Sequence, residues 1–287
     1  MAPRLAHDSA FWRRLAHAGA RHGPEFWLKY SPPVFGVAFA LALGKQRRKV
    51  RDTLRWVQGE TGLLREQRQL FATFVRYAQC LAEGLAAERP EAEQAVHRVE
   101  GEQFLNAALA GGRGALLVTA HAGPWDAAAK LLCSSLDRPA LVVMEGEADP
   151  DARELHDGVR ARAGVRVVHV GGHPLDGLPL LRELKAGGIV AVQLDRGAPS
   201  GRGIAVRLFG RDFLVPEGPF RLAALARVPI VPLFVRRTGH FQYDLLAYPA
   251  IELAHDARAP ELQAAAQTAT DAMAGFIARY PTQWFNF

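Results

Sequence analysis

The chain has 287 residues, 49% of them apolar, enough for one large domain or two small ones that bury a core without covalent staples. The 35 Lys and Arg outnumber the 29 Asp and Glu, giving a formal net charge of +6. The positive residues are overwhelmingly arginine, whose planar fork suits phosphates and carboxylates, so an anionic partner is expected: a phospholipid surface, a phosphorylated lipid, the phosphates of a donor, an acidic carrier protein or a nucleic acid. Cys80 and Cys133 form no CxxC or Cys/His cluster, which argues against a zinc site or a secreted disulfide scaffold and for a reducing, cytoplasmic-side setting.

In chain order, the first marked feature is Pro32 to Gly44, PPVFGVAFALALG, which is apolar and uncharged and runs abruptly into Lys45-Gln46-Arg47-Arg48-Lys49-Val50-Arg51. A spanning helix takes about 20 apolar residues. This run suits a shallow interfacial anchor better, with each basic residue adding about 1 kcal/mol at anionic head groups. Phe26, Trp27 and Tyr30 just before it are aromatics of the interfacial kind. A buried core helix followed by a solvated basic stretch is the competing reading. A secretory signal is not expected, because the apolar run starts late and the basic cluster follows where a cleavage site would lie.

Helical periodicity follows over about 46–57 and 63–87, with Leu70, Phe74, Tyr77, Leu81 and Leu85 on one face, and Arg89-Pro90 ends the second helix. A shorter helix over 101–110 closes on Gly111-Gly112. Beyond Gly112 the period changes. Short runs rich in Val, Ile and Leu recur at 115–121, 140–146, 166–171, 189–195, 205–210 and 230–237, the signature of strands covered on both faces. Helical segments are expected between them at 125–135, 151–163, 175–186 and 218–226. An antiparallel strand within 241–253 and an amphipathic helix over 261–280 complete the chain. The expected fold is α/β, with a central, largely parallel sheet flanked by helices. Residues 1–100 form a helical N-terminal region with a membrane-associating segment at about 32–51, and residues 101–287 the α/β domain, together one compact unit.

The strongest local signal is LVTAHAGPWD, residues 117–126. A strand runs into His121, where parallel sheets place ligands. Gly123-Pro124 then turns into a helix whose first turn carries Asp126. A carboxylate is favoured there by the helix dipole and can fold back onto the ring, fixing its tautomer and freeing the other nitrogen to take a proton from a hydroxyl. A purely structural His–Asp hydrogen bond fits the same spacing. His169 reads as a core residue, His156 as part of a polar helix, and no histidine joins carboxylates at a metal-binding spacing. There is no GxSxG elbow, P-loop or GxGxxG, so a covalent serine or cysteine mechanism has no local support.

The His-x4-Asp motif, followed in order by VQLDRG (192–197), VRLFG (206–210), PEGPFRLAALARVPIVPLFVRR (216–237) and YPTQWF (280–285), resembles the lysophospholipid acyltransferase superfamily, and within it the lauroyl and myristoyl transferases of lipid A biosynthesis. The resemblance is specific over residues 101–287. It implies a glycerolipid-acyltransferase-like fold with His121 as general base and Asp126 as its partner. It further implies that Asp195-Arg196-Gly197 lines the acceptor site. Arg196 then grips a phosphate or head group, or else pairs with Asp195 or Asp212. Glu217-Gly218-Pro219 is similar to the Glu-Gly-Thr element of glycerolipid acyltransferases and would start a helix that shapes the pocket, while Arg236 and Arg237 would face the same cleft.

The implied activity is transfer of a fatty acyl group from acyl carrier protein or coenzyme A to a hydroxyl of a lipid or glycolipid. It would occur on the cytoplasmic face of the inner membrane, with no metal, no bound cofactor and no nucleic acid partner. Gln193-Leu194-Asp195-Arg196 stands where lipid A enzymes carry an Asp-Gln-Asp run. The acceptor therefore stays open between lipid A and a lysophospholipid, amino-lipid or polyene-type lipid. A non-catalytic basic membrane-binding protein is the remaining reading.

Overall fold

The computed structural model describes residues 17–93, 95–125, 140–145, 157–158, 160–161, 165–170, 175–197 and 203–287. After a helical stretch over 17–22 come α1 (Glu25–Ala42), α2 (Gly44–Gln58) and α3 (Leu63–Leu85). On α1 the buried residues are Leu28, Pro32, Gly36 and Ala40, spaced four apart and therefore on one stripe. A Cβ at Gly36 would lie 2.7 Å from Val75 Cα and 2.9 Å from Phe74 O, so only glycine permits so close a crossing with α3. The opposite side of α1 is apolar yet exposed, with Phe26, Trp27, Tyr30, Val34, Phe35, Val37, Phe39 and Leu41 facing outward. Among the described residues no single helix is long and apolar enough to cross a membrane; α1 and α2 meet at a 98° bend.

Seven strands form the main sheet in the order β1-β9-β8-β2-β5-β3-β4. They are β1 (Val96–Glu100), β2 (Ala115–Thr119), β3 (Ala140–Glu145), β4 (Arg166–Val170), β5 (Ile189–Gln193), β8 (Ile230–Gly239) and β9 (Gln242–Ala247). All neighbours pair in parallel except β8 and β9. The flanking helices are α4 (Glu102–Leu109), α5 (Gly177–Lys185), α6 (Gly218–Ala226) and α7 (Ala259–Arg279).

Alternation along the central strands explains their continuous apolar runs. Leu116, Val118, Val190 and Val192 face one core with Leu184 of α5, Phe220 of α6 and Met273 and Phe276 of α7. Ala115, Leu117, Ile189 and Val231 face the other with Leu105, Ala108 and Leu109 of α4. Both faces are covered, as a parallel sheet requires.

Two elements depart from the sequence reading. The run over 205–210 belongs to a separate antiparallel hairpin of β6 (Gly203–Leu208) and β7 (Arg211–Pro216), not to the main sheet. Its two-residue connection, Phe209-Gly210, has φ values of 47° and 74°, the left-handed pair that matches hairpin twist. Its exposed backbone edge is completed by α7, where Gln267 accepts from Arg207 N and donates to Arg207 O. The stretch read as wholly helical also contains β1, a sheet strand paired with β9. Beyond Trp125, the helix expected over 125–135 lies outside the described residues, and that over 151–163 is described only at 157, 158, 160 and 161, which are helical.

Candidate active site

Strand register builds the site. β2 and β5 pair in parallel with Thr119 opposite Gln193, and Leu194 N donates to Thr119 O at 3.0 Å just beyond. Two residues past that pair, the same offset brings His121 alongside Asp195 at the carboxyl ends of two central strands. The ligand-binding edge of a parallel α/β sheet is this edge.

His121 Nδ1 lies 2.8 Å from Asp195 Oδ1, and the His121 backbone N–H donates to Asp195 Oδ2 at 3.0 Å. The Trp284 indole N–H donates to the same Oδ2 at 2.8 Å. Asp195 has no solvent exposure. Burial works against its charge, yet the ring hydrogen bond, the charge of the ring, the indole and the backbone N–H together hold its carboxyl below the ordinary carboxylate range. An ionised carboxylate only accepts hydrogen bonds, so it places the ring proton on Nδ1 and leaves the lone pair on Nε2. The His121 side chain is 16% exposed, so the ring reaches the surface while its partner does not.

The loop after His121 is clamped on both sides. Gly123 has φ of 57°, and a Cβ there would sit 2.2 Å from Val235 O of β8, so the loop lies directly on that strand. From the other side, the segment after the 3₁₀ turn Pro281–Gln283 forms a bridge between Trp284 and Ala122. There Phe285 N donates to His121 O and Gly123 N donates to Gln283 O, each at 2.8 Å. Trp125 sets its ring edge-on to the imidazole, 6.1 Å between centroids.

The sequence profile of bacterial lipid A biosynthesis acyltransferases matches residues 16–287. The chain belongs to that family. Two curated relatives from strains of Mycobacterium tuberculosis, both phosphatidylinositol mannoside acyltransferases, are 28% identical over 200 residues. Each alignment covers 68% of this chain and 60% of the relative, so the chain spans less than two thirds of the length of the relatives it matches.

In this lipid A acyltransferase family member the other expected site residues are placed unevenly. Asp126 lies outside the described residues; the carboxylate on Nδ1 is Asp195. Asp195 itself, expected to line an acceptor site, is instead sealed beneath His121 with donors on both oxygens. Arg196 follows on an exposed turn, and Asp212, one partner considered for it, is bonded by Arg207 at 2.6 Å. Glu217 sits at the N-cap of α6, where Arg221 one turn on bonds its carboxylate, and Gly218 opens the helix; their described contacts stay within that helix start.

Arg236, expected to face the cleft, is engaged by Asp244 of β9 through two hydrogen bonds and lies 4.5 Å over the Tyr280 ring. Arg237 departs from that expectation, because it is buried and bonded to Glu83 of α3. His169 is held by Asp157 at 2.7 Å; His156, His173 and Cys133 lie outside the described residues. Gln283 and Trp284 entered the sequence reading only within YPTQWF (280–285), without a role, because the groups they bond lie far off in the chain. The His121–Asp195 pairing did leave a signal, since TAH and QLD end two adjacent buried runs in the same phase.

Proposed function

We propose that the protein transfers a fatty acyl group from an acyl thioester, of acyl carrier protein or coenzyme A, to a hydroxyl of a lipid or glycolipid at the cytoplasmic face of the inner membrane. The observation that carries this reading is the fully buried Asp195 on Nδ1 of a surface-reaching His121. His121 Nε2 takes the proton from the acceptor hydroxyl as its oxygen attacks the thioester carbonyl. The tetrahedral oxyanion then collapses, the C–S bond breaks, and the departing thiolate takes the proton back from the imidazolium. Asp195 stabilises the imidazolium between these steps, as the acid of a Ser-His-Asp triad does, with the nucleophile supplied by substrate. No bound cofactor enters these steps.

The mycobacterial relatives, phosphatidylinositol mannoside acyltransferases, support a glycolipid acceptor carrying an anionic phosphate, and the excess of arginine suits such a head group. The exposed apolar side of α1, beside Lys45, Arg47, Arg48 and Lys49 of α2, supports docking on an anionic bilayer. The test is incubation of purified protein with labelled acyl carrier protein or coenzyme A thioesters and a panel of acceptors: lipid A precursors, phosphatidylinositol mannosides and lysophospholipids. Acyl transfer to at least one acceptor is expected, with a loss of at least about 10² on His121→Ala in a folded protein. Near-normal turnover in that variant rules out the assigned base.

A further inference from the structure

We infer that Trp284 is a positioning residue for the reaction, acting on His121 through Asp195. The inference rests on His121 being the general base and adds a partner that neither the motif nor the strand register contains. Asp195 has two oxygens with distinct partners. Among the described residues Oδ1 receives the imidazole, while Oδ2 receives the His121 backbone N–H and the Trp284 indole N–H. The indole donor therefore fixes which oxygen faces the ring and prevents the carboxylate from turning about its terminal torsion. Asp195 itself is fully buried, so the indole N–H is also one of the few groups that compensate its charge.

Trp284 is itself held in a way that fixes the direction of its N–H. It is 1% exposed. Its ring packs against Trp56 of α2 at 5.7 Å and Phe209 of the hairpin at 6.4 Å. The residue before it, Gln283, accepts from Arg237 N at 2.8 Å and donates to Arg237 O at 3.0 Å, anchoring the segment to the backbone of β8. The backbone bonds on either side of Trp284 run to Gly123 and His121. The segment thus grips the catalytic loop through its backbone and the buried acid through one side chain, so that ring and acid are located by the same short stretch.

Removing the donor has a consequence that packing loss does not share. Without the indole N–H, the Asp195 carboxylate is less stabilised and holds the imidazolium more strongly, so the coupled pair takes up its proton at higher pH. A general base must be neutral to act, so the acid limb of the rate profile moves towards higher pH.

The experiment compares wild type, Trp284→Phe, and a protein in which Trp284 is replaced by benzothienylalanine, which keeps the bicyclic shape and exchanges N–H for sulfur. Acyl transfer is measured from pH about 5 to 9, around the ordinary histidine pKa of about 6.5, with thermal melting as the folding control. A fall in kcat of about 10- to 10²-fold is expected, the range for a lost hydrogen bond to a charged group. KM for the thioester should be unchanged and the acid limb displaced upward in both proteins. Should Trp284→Phe fail to fold, the isostere alone decides. Wild-type kcat with an unmoved limb overturns the inference, and so does a lower kcat with an unmoved limb, which would make Trp284 a packing residue. His121→Ala separates the two levels: if it stays active, the base assignment has failed, whereas an inactive His121→Ala beside a wild-type isostere rejects only the part given to Trp284.

Discussion

Asp195→Asn is the sharpest probe of the proposed mechanism, because the geometry dictates how the amide must sit. Two N–H donors, from the His121 backbone and Trp284, both point at Oδ2. The carbonyl oxygen of an asparagine side chain has to occupy that position, since an NH₂ there would face two donors. The NH₂ then replaces Oδ1 and points at His121 Nδ1, 2.8 Å away in the native protein. A donor facing Nδ1 drives the ring proton to Nε2, so the nitrogen needed as a base loses its lone pair. The variant should fold, because shape is kept and no unpaired charge is created, yet kcat should fall by about 10² to 10⁴, the span for losing a general base or its correct tautomer.

Thiol release from the acyl donor gives the rate, and nitrogen-edited NMR of the imidazole gives the tautomer directly. The double variant His121→Ala with Asp195→Asn should be no slower than the worse single one, since the two residues act as a unit. Activity within about threefold of wild type, or a proton still on Nδ1 in the variant, refutes the reasoning.

The remaining expectations concern stability and docking. Because the native carboxyl of Asp195 is held low, its contribution to stability is fully present above the unfolded value of about 3.9 and is lost as pH falls below that. Denaturation of wild type and Asp195→Asn should therefore show a gap at neutral pH that narrows below pH about 4. Glu83, 2% exposed, accepts from Arg237, the Phe241 backbone and the Tyr243 hydroxyl. Glu83→Gln leaves the buried Arg237 charge without its counter-ion and should cost about 3 to 5 kcal/mol in denaturant unfolding. On the exposed side of α1, the pair Val34→Asp and Leu41→Asp should weaken co-sedimentation with anionic vesicles by at least tenfold, equivalent to about 1.4 kcal/mol, without changing the melting temperature; unaltered binding would remove α1 as the docking face.

The strands and the position of His121 at a strand end were legible because they depend on local pattern: buried parallel strands are continuous apolar runs, and a polar residue closing one stands out. Asp126, named as its partner from nearness in sequence, lies outside the described residues, whereas Asp195 is brought to Nδ1 only through the β2–β5 register, which takes comparison of two separate runs to see. The run over 205–210 misled for a related reason. Its apolar content is high, but Arg207 interrupts it and only Val206 and Leu208 are buried. That is the alternation of a half-covered hairpin rather than the continuity of a sheet interior. Gln283 and Trp284 stood out only as part of YPTQWF, with no role legible, since their partners are assembled from β8, from the loop after β2 and from the end of β5.

The pairing of β1 with β9 bears on how the polypeptide is made and how it can be cut. Val96 must wait for Gln242 before it gains a neighbour, so a nascent chain leaving the ribosome carries this early strand unmatched until almost all of the sheet has emerged. Trimming the leading helices back past Glu100 to obtain a smaller fragment would uncover the flank of β9, whose Tyr243, Leu245 and Leu246 are buried in the intact protein. Such fragments should precipitate by strand-to-strand association.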